Sequence, residues 1–414
     1  MVEASAEVLA ERLAELARAR SEVNRAYFAA QAERIAGCCH RMAERFARDG
    51  RLIAFGATPE ARSDARHVAV EFVHPVIVGK RALPAIGLAP EGGDVVAQAR
   101  AIVEAHDVAI GFGCEDSGTD GDRVRAALAL ARERGALTIA FSSGSGAEWE
   151  FEPPPADSFV RQEVIETLYH LLWELVHVFF DHRGLLEGRG ARQVHDPGAS
   201  SFLYPFLSES ETDLDSILAD VRDSALMKSE EVGELREQTL GENLEVLLAA
   251  AAAMRGAFDE GGRLLTFGNG GSATDAMDMA ADFRVPLPSG IGESRPALDL
   301  TEDASILTAI ANDIGVDAIF QRQVIAHGRT GDCAAALSTS GNSENIITAL
   351  AEARKRGMVT VAMVGYDGGR VAQDELADHV IVTRSQHIPR IQEAQASAYH
   401  VLRELVELDG GGRT

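Results

Sequence analysis

Two donor-rich loops and a set of evenly spaced carboxylates, histidines and glutamines carry most of the chemistry this chain can perform. The run GNGGS (268–272) follows an apolar stretch and opens an amphipathic one, so its glycines would let backbone N–H groups close on an anion at a helix N-terminus. A tight turn with no ligand is the plainer alternative. The run STSGNS (338–343) has the same position and adds four hydroxyls, Ser338, Thr339, Ser340 and Ser343. That combination reads as a phosphate cradle, although Asn342 or Ser343 could be no more than the N-cap of the helix that follows. Neither loop ends in the GKS or GKT of a nucleotide site, so a sugar phosphate fits better than ATP with magnesium. Asp278 and Asp282 stand at i and i+4, one helix face, and could hold a divalent ion with Gln392. A solvated acidic face is equally open for these two aspartates.

The chain also repeats itself. RLIAFGATPEARSDARHVAVEF (51–72) echoes RLLTFGNGGSATDAMDMAADF (263–283), and the later pairs ALARERGALTIAF with ALAEARKRGMVTVAM and RQEVIETLYH with IQEAQASAYH keep the same order. Between the halves lies a Gly-, Pro- and Ser-rich run. The organisation read from this is a degenerate domain over 1–183, a linker over 184–209 and a complete domain over 210–408. Long amphipathic helices are predicted over 4–48 and 211–259, each ahead of short apolar runs alternating with helical patterns. Strands buried on both faces and separated by helices indicate α/β domains, each a three-layer α/β/α sandwich around a central parallel sheet. Ligands in such sheets bind at the carboxyl ends of the strands, where the Gly and Ser clusters fall.

The blocks GNGGSATDAM, IANDIG, LSTSGNS, ARKRGM and RIQEAQASAYH, in this order, resemble phosphoheptose isomerase, within the sugar isomerase (SIS) domain superfamily. The resemblance runs over about residues 210–408. It implies two SIS-type domains in tandem and interconversion of sedoheptulose 7-phosphate and D-glycero-D-manno-heptose 7-phosphate by enediol proton transfer. Asn269, Gly270, Gly271 and Ser272 would hold the open-chain sugar, and Ser338, Thr339, Ser340 and Ser343 its phosphate. Asn312 and Asp313 would bind its hydroxyls, with Gln392 also at the substrate. The resemblance further implies a divalent metal, zinc, held by a helical His and Glu at i and i+4, the Gln of RIQE and the late His. Proton transfer would fall to the carboxylate of that set and a late histidine.

The two halves depart from this pattern in opposite ways. The second has Gln392 and His400 but places Asp278 where the His is expected and Asp282 where the Glu is expected. The first has His67, Glu71, Gln162 and His170, a full set of metal-type ligands, but replaces GNGGS with GATPEA and the hydroxyl loop with GCEDSGTDGD. Glu115, Asp116 and Asp120 there would repel phosphate. Gln162 and His170, like Gln392 and His400, stand eight residues apart, ~12 Å along a helix. Ligands of one metal lie within about 4 Å of each other, so the expectation is an exchange between halves. His67, Glu71 and Gln162 would work with His400, and Asp278, Asp282 and Gln392 with His170. Asp282, His400, His170 and Glu71 are thus the candidate proton-transfer residues. A non-catalytic phosphosugar-binding or regulatory protein is the alternative, and an isomerase of pentose or hexose phosphates a further one.

Composition bounds the partners. A net charge of −25 with no basic stripe argues against nucleic acid. The longest apolar run, VLLAAAAAM (246–254), is too short to cross a bilayer, and the acidic start MVEASAE is unlike a secretion signal. Four cysteines, Cys38, Cys39, Cys114 and Cys333, without CxxC spacing fit a reducing cytoplasm. A homodimer of the tandem chain is expected by resemblance. His74, His106, His177, His182 and His195 have no interpretable spacing; Trp149, Trp173, Phe179 and Phe180 read as core.

Overall fold

The structure, a computed structural model, describes residues 6–76, 80–89, 93–115, 118–181, 213–287 and 292–408. The linker read over 184–209, with His182, His195 and Asp116, lies outside them. Two five-stranded sheets form, both parallel throughout. The first consists of β1 (Leu52–Phe55), β2 (Ala85–Leu88), β3 (Val108–Gly111), β4 (Leu137–Ala140) and β5 (Trp149–Glu150), in the order β2-β1-β3-β4-β5. The second consists of β6 (Leu264–Gly268), β7 (Ala297–Asp299), β8 (Cys333–Ser338), β9 (Val359–Gly365) and β10 (His379–Thr383), in the order β10-β9-β8-β6-β7.

Strand periodicity produces the three layers. In β8, Cys333, Ala335 and Leu337 join one apolar cluster with Phe283 and Leu402, while Ala334 and Ala336 join another with Ile346 and Leu350. Successive side chains point to opposite faces, so both faces of this small-residue strand are covered by helices. Long amphipathic helices occur where the 3.6-residue pattern predicts them: Ala6–Ala47, then Leu214–Glu242 and Leu244–Asp259.

The compact units do not follow chain order. One comprises Val23–Ala156 and Val164–Glu230 and holds the first sheet; the other comprises Met1–Glu22, Asp157–Glu163 and Glu231–Thr414 and holds the second. Residues 157–163 thus pack with the second sheet although they stand in the first half of the sequence, a point that matters for the site below.

In the second sheet the chain leaves β6 for β7 on one side and then returns to β8 on the other. This reversal puts the crevice of a parallel sheet between the carboxyl ends of β6 and β8. The register aligns Gly268 with Leu337, which brings the 268–272 and 338–343 loops side by side.

Candidate functional site

At the first loop, Gly270 takes φ 59° and precedes the helix Gly271–Arg284 with no side-chain cap. Gly268 is required by sterics, since a Cβ there would strike the Ser272 carbonyl oxygen. At the second loop, Ser343 occupies the N-cap position of Glu344–Lys355 but makes no capping hydrogen bond. Ser338 Oγ accepts from the Gly341 N–H at 3.2 Å and Ser340 Oγ from Asn342 N–H at 3.2 Å, which shapes the loop around its hydroxyls. The two loops are tied together by a reciprocal amide pair, Asn269 Nδ2 to Asn345 Oδ1 at 3.0 Å and Asn345 Nδ2 to Asn269 Oδ1 at 2.9 Å. Asn345 was invisible in the sequence because its partner lies outside its own motif.

Further along the same helix Asp275, Asp278 and Asp282 are all buried. The solvated acidic face allowed by the sequence is therefore overturned: this face packs inward. Asp282 meets His400 from Ile388–Leu408, with Oδ2 3.4 Å from Nε2. The other ring nitrogen, Nδ1, is 2.9 Å from Glu163 Oε1. Burial alone would push the Glu163 carboxyl up; the Arg20 guanidinium, the His400 contact and Arg236 outweigh it and hold Glu163 below the usual carboxylate range. Burial lowers the His400 pKa despite Glu163, so the ring is neutral at rest. A neutral imidazole between two carboxylates can give a proton from one nitrogen while receiving at the other.

The expected exchange of histidines between halves is corrected by this geometry. His400 sits with Asp282 and His170 with His67, each within its own half. What crosses in sequence is the start of the helix Ser158–Val176, whose Gln162 and Glu163 belong to the unit of the second sheet. Spacing along one helix gave the correct conflict but could not say which end is exchanged. The RQE and RIQE echo did carry a signal for Glu163, as the acid after each glutamine.

Gln392 is buried on the same helix as His400. Asn312 and Asp313, expected at the sugar hydroxyls, are exposed. They end the helix Ala304–Asp313, which buries none of its residues, and Asn312 Nδ2 donates to Asp313 Oδ1 at 2.7 Å. Among the described residues neither makes a hydrogen bond to the two loops.

In the first half, His67, Glu71 and His170 each offer one atom within 4.8 Å of the others, and all three are buried. His67 Nε2 and His170 Nε2 face each other at 3.3 Å, and His67 Nε2 is 3.9 Å from Glu71 Oε1. Burial holds His67 well below the usual histidine range, with His170 adding to the effect. Two imidazole nitrogens and a carboxylate converging in a dry site suit a divalent transition metal, and Tyr169 Oη, 3.0 Å from His67 Nδ1, can fix the tautomer that turns Nε2 inward. Among the described residues Asp278, Asp282 and His400 form no such group with one another. The phosphate end is reversed too. Thr58 caps the helix Pro59–Val73 and Pro59 has no N–H to offer. Asp64, three residues before His67 as Asp275 is before Asp278, is pushed well above the usual carboxylate range by burial, with Glu60 and Glu115 adding to it. The charges of Glu60 and Glu115 beside it would repel an anion.

Comparison with known proteins places a family match in the second half of the chain. The SIS domain family matches residues 229–365. The chain is 44% identical over 176 residues to phosphoheptose isomerase from Pelodictyon phaeoclathratiforme, 42% of this chain and 82% of that protein. It is 45% identical over 175 residues to phosphoheptose isomerase from Chlorobium phaeobacteroides, covering 76% of it. The fold of nearly the whole chain is similar to tagatose-6-phosphate ketose/aldose isomerase from Escherichia coli, with TM-score 0.57 at 12% identity over 96% of this chain and 92% of that one. With its glycine and hydroxyl loops at the β6 and β8 ends and this degree of identity, the chain belongs to the phosphoheptose isomerase family.

Proposed function

We propose that this protein is an aldose–ketose isomerase that interconverts sedoheptulose 7-phosphate and D-glycero-D-manno-heptose 7-phosphate in the second-half site. The observation that carries the reading is the buried Asp282–His400 pair, which joins the helix that starts at the GNGGS loop to the helix Ile388–Leu408. The hydroxyl and glycine loops hold the phosphate through neutral donors. Ten residues of helix, ~15 Å of axis, separate Ser272 from Asp282, which supports a long open-chain substrate over a triose or tetrose phosphate. Asp282 carries the carbon-bound proton from C1 of the ketose to C2 of the aldose. His400, through Nε2, moves the hydroxyl proton from O1 to O2, so the substrate gains and loses nothing.

A divalent metal, zinc, is assigned in the same reading to His67, Glu71 and His170. When bound, such an ion supplies charge neutralisation for the buried Glu71 and a cross-link between two helices of the first half. Free, buried cysteines among the described residues support a reducing, cytoplasmic setting. No helix among the described residues is long and apolar enough to cross a membrane. The exposed Ile306, Ile314 and Val316 support pairing of the tandem chain as a homodimer.

The test is direct: purified protein is given sedoheptulose 7-phosphate and aldoheptose 7-phosphate is followed beside an Asp282→Ala control. Turnover lost in the control is expected. No turnover by the unaltered chain, with the sugar phosphate still raising its melting temperature, would leave a phosphosugar-binding protein instead.

A further inference from the structure

Among the described residues Glu163 belongs to no phosphate loop and to no metal-type group, yet its carboxylate is held from several sides. Its Oε1 accepts from Arg20 Nε at 3.0 Å and stands 2.9 Å from His400 Nδ1. Its Oε2 accepts from Ser397 Oγ at 2.6 Å, and Arg236 Nη2 donates to its main-chain oxygen at 3.1 Å. Arg20 is itself fixed by Glu404 Oε1 at 3.2 Å and the Leu16 carbonyl at 3.4 Å. Phe159, one turn before Glu163, stacks on the His400 ring at 4.5 Å and 11°. Tyr399 meets the ring edge-on at 4.6 Å.

We propose that Glu163 is the positioning residue of the acid–base pair: by accepting the Nδ1–H of His400 it sets the tautomer and plane of the ring so that the Nε2 lone pair faces Asp282. The inference rests on the isomerase reading above and adds the residue that makes His400 usable. Ser397 and His400 lie three apart on one helix and grasp the two oxygens of the same carboxylate, so the ring is held relative to its own helix as well as to Glu163. A buried carboxylate is costly to desolvate, and a glutamine would satisfy these donors almost as well without that cost. What glutamine cannot do is enforce one tautomer, because its amide both donates and accepts, or stabilise the imidazolium that forms in passing.

The experiment uses full-length protein labelled with ¹⁵N-histidine, and assigns the His400 ring by its loss in His400→Asn. The expected spectrum shows Nδ1 protonated and Nε2 unprotonated in the unaltered chain, and a mixture of tautomers in Glu163→Gln. In kinetics on sedoheptulose 7-phosphate, Glu163→Gln is expected to lower kcat by about ten- to a hundredfold with KM changed less than about twofold. Glu163→Asp restores part of kcat, and Ser397→Ala, which leaves Arg20 and His400 in place, lowers it by less. A His400 ring protonated at Nε2 in the unaltered chain, or a Glu163→Gln variant with unchanged tautomer and kcat, would overturn the proposal. If the chain does not isomerise the sugar, the tautomer measurement still decides the role of Glu163, so the two readings fail separately.

Discussion

At the scale of residues, the proposed second-half site has neutral hydroxyl and backbone donors at one end and the buried Asp282–His400 pair at the other. Ser340 lies in the phosphate loop, where its hydroxyl accepts from Asn342. Replacing it with aspartate would put a charge where the proposed reading places the phosphate. Ser340→Asp is expected to raise KM for sedoheptulose 7-phosphate at least about tenfold, while the melting temperature stays within a few degrees because the site is only half-buried. Steady-state kinetics beside a thermal melt separates the two effects. These serines were legible in the sequence because the motif is contiguous. Glu163 was legible only as the acid after each glutamine of the RQE and RIQE echo; its contact with His400, 237 residues away, was not, because no local spacing reports a contact of that length.

At the scale of elements, the loops are placed by turns that admit only glycine. Gly341 takes φ 62°, and a Cβ there would press on the Gly368 carbonyl oxygen, joining the hydroxyl loop to the start of Gly369–Gln373. Gly341→Ala is expected to destabilise the chain by about 1–3 kcal/mol, read by denaturant unfolding, and to weaken phosphate binding with it. Asn345→Ala should cost about 1 kcal/mol of substrate binding by freeing Asn269, with smaller loss of stability; calorimetric titration with the sugar phosphate checks it. Strands and helices were legible from the period of their apolar residues, as β8 and its flanking helices show. The unit boundaries were not, since an amphipathic helix such as Ala6–Ala47 declares an apolar face but not which sheet will cover each part of it.

At the scale of the molecule, several histidines are buried uncharged, and this sets its response to acid. His177 has its ring nitrogens 2.8 Å from the Trp173 carbonyl and 3.0 Å from that of Arg81, and burial, with Lys80, pushes its pKa down to about 4. The unfolded chain takes up this proton near pH 6.5, so stability falls as pH drops from there and levels off near 4. The loss for this group is about 3 kcal/mol, and His177→Gln should flatten unfolding free energy against pH by a comparable amount. His67 and His400 shift in the same direction and add to the same acid limb. Across the duplication the proposed reading divides the labour: the first half has the buried His67, Glu71 and His170 cluster, while the second has the glycine and hydroxyl loops and the buried Asp282–His400 pair. The most direct measurement is turnover of sedoheptulose 7-phosphate in D₂O by the unaltered chain, Asp282→Asn and His67→Asn in one assay. The account predicts aldoheptose 7-phosphate that keeps substrate-derived hydrogen at C2, a loss of about a hundredfold or more in Asp282→Asn, and activity within a few-fold in His67→Asn. Full activity in Asp282→Asn, with the loss falling on His67→Asn, would contradict it and move the chemistry to the first half.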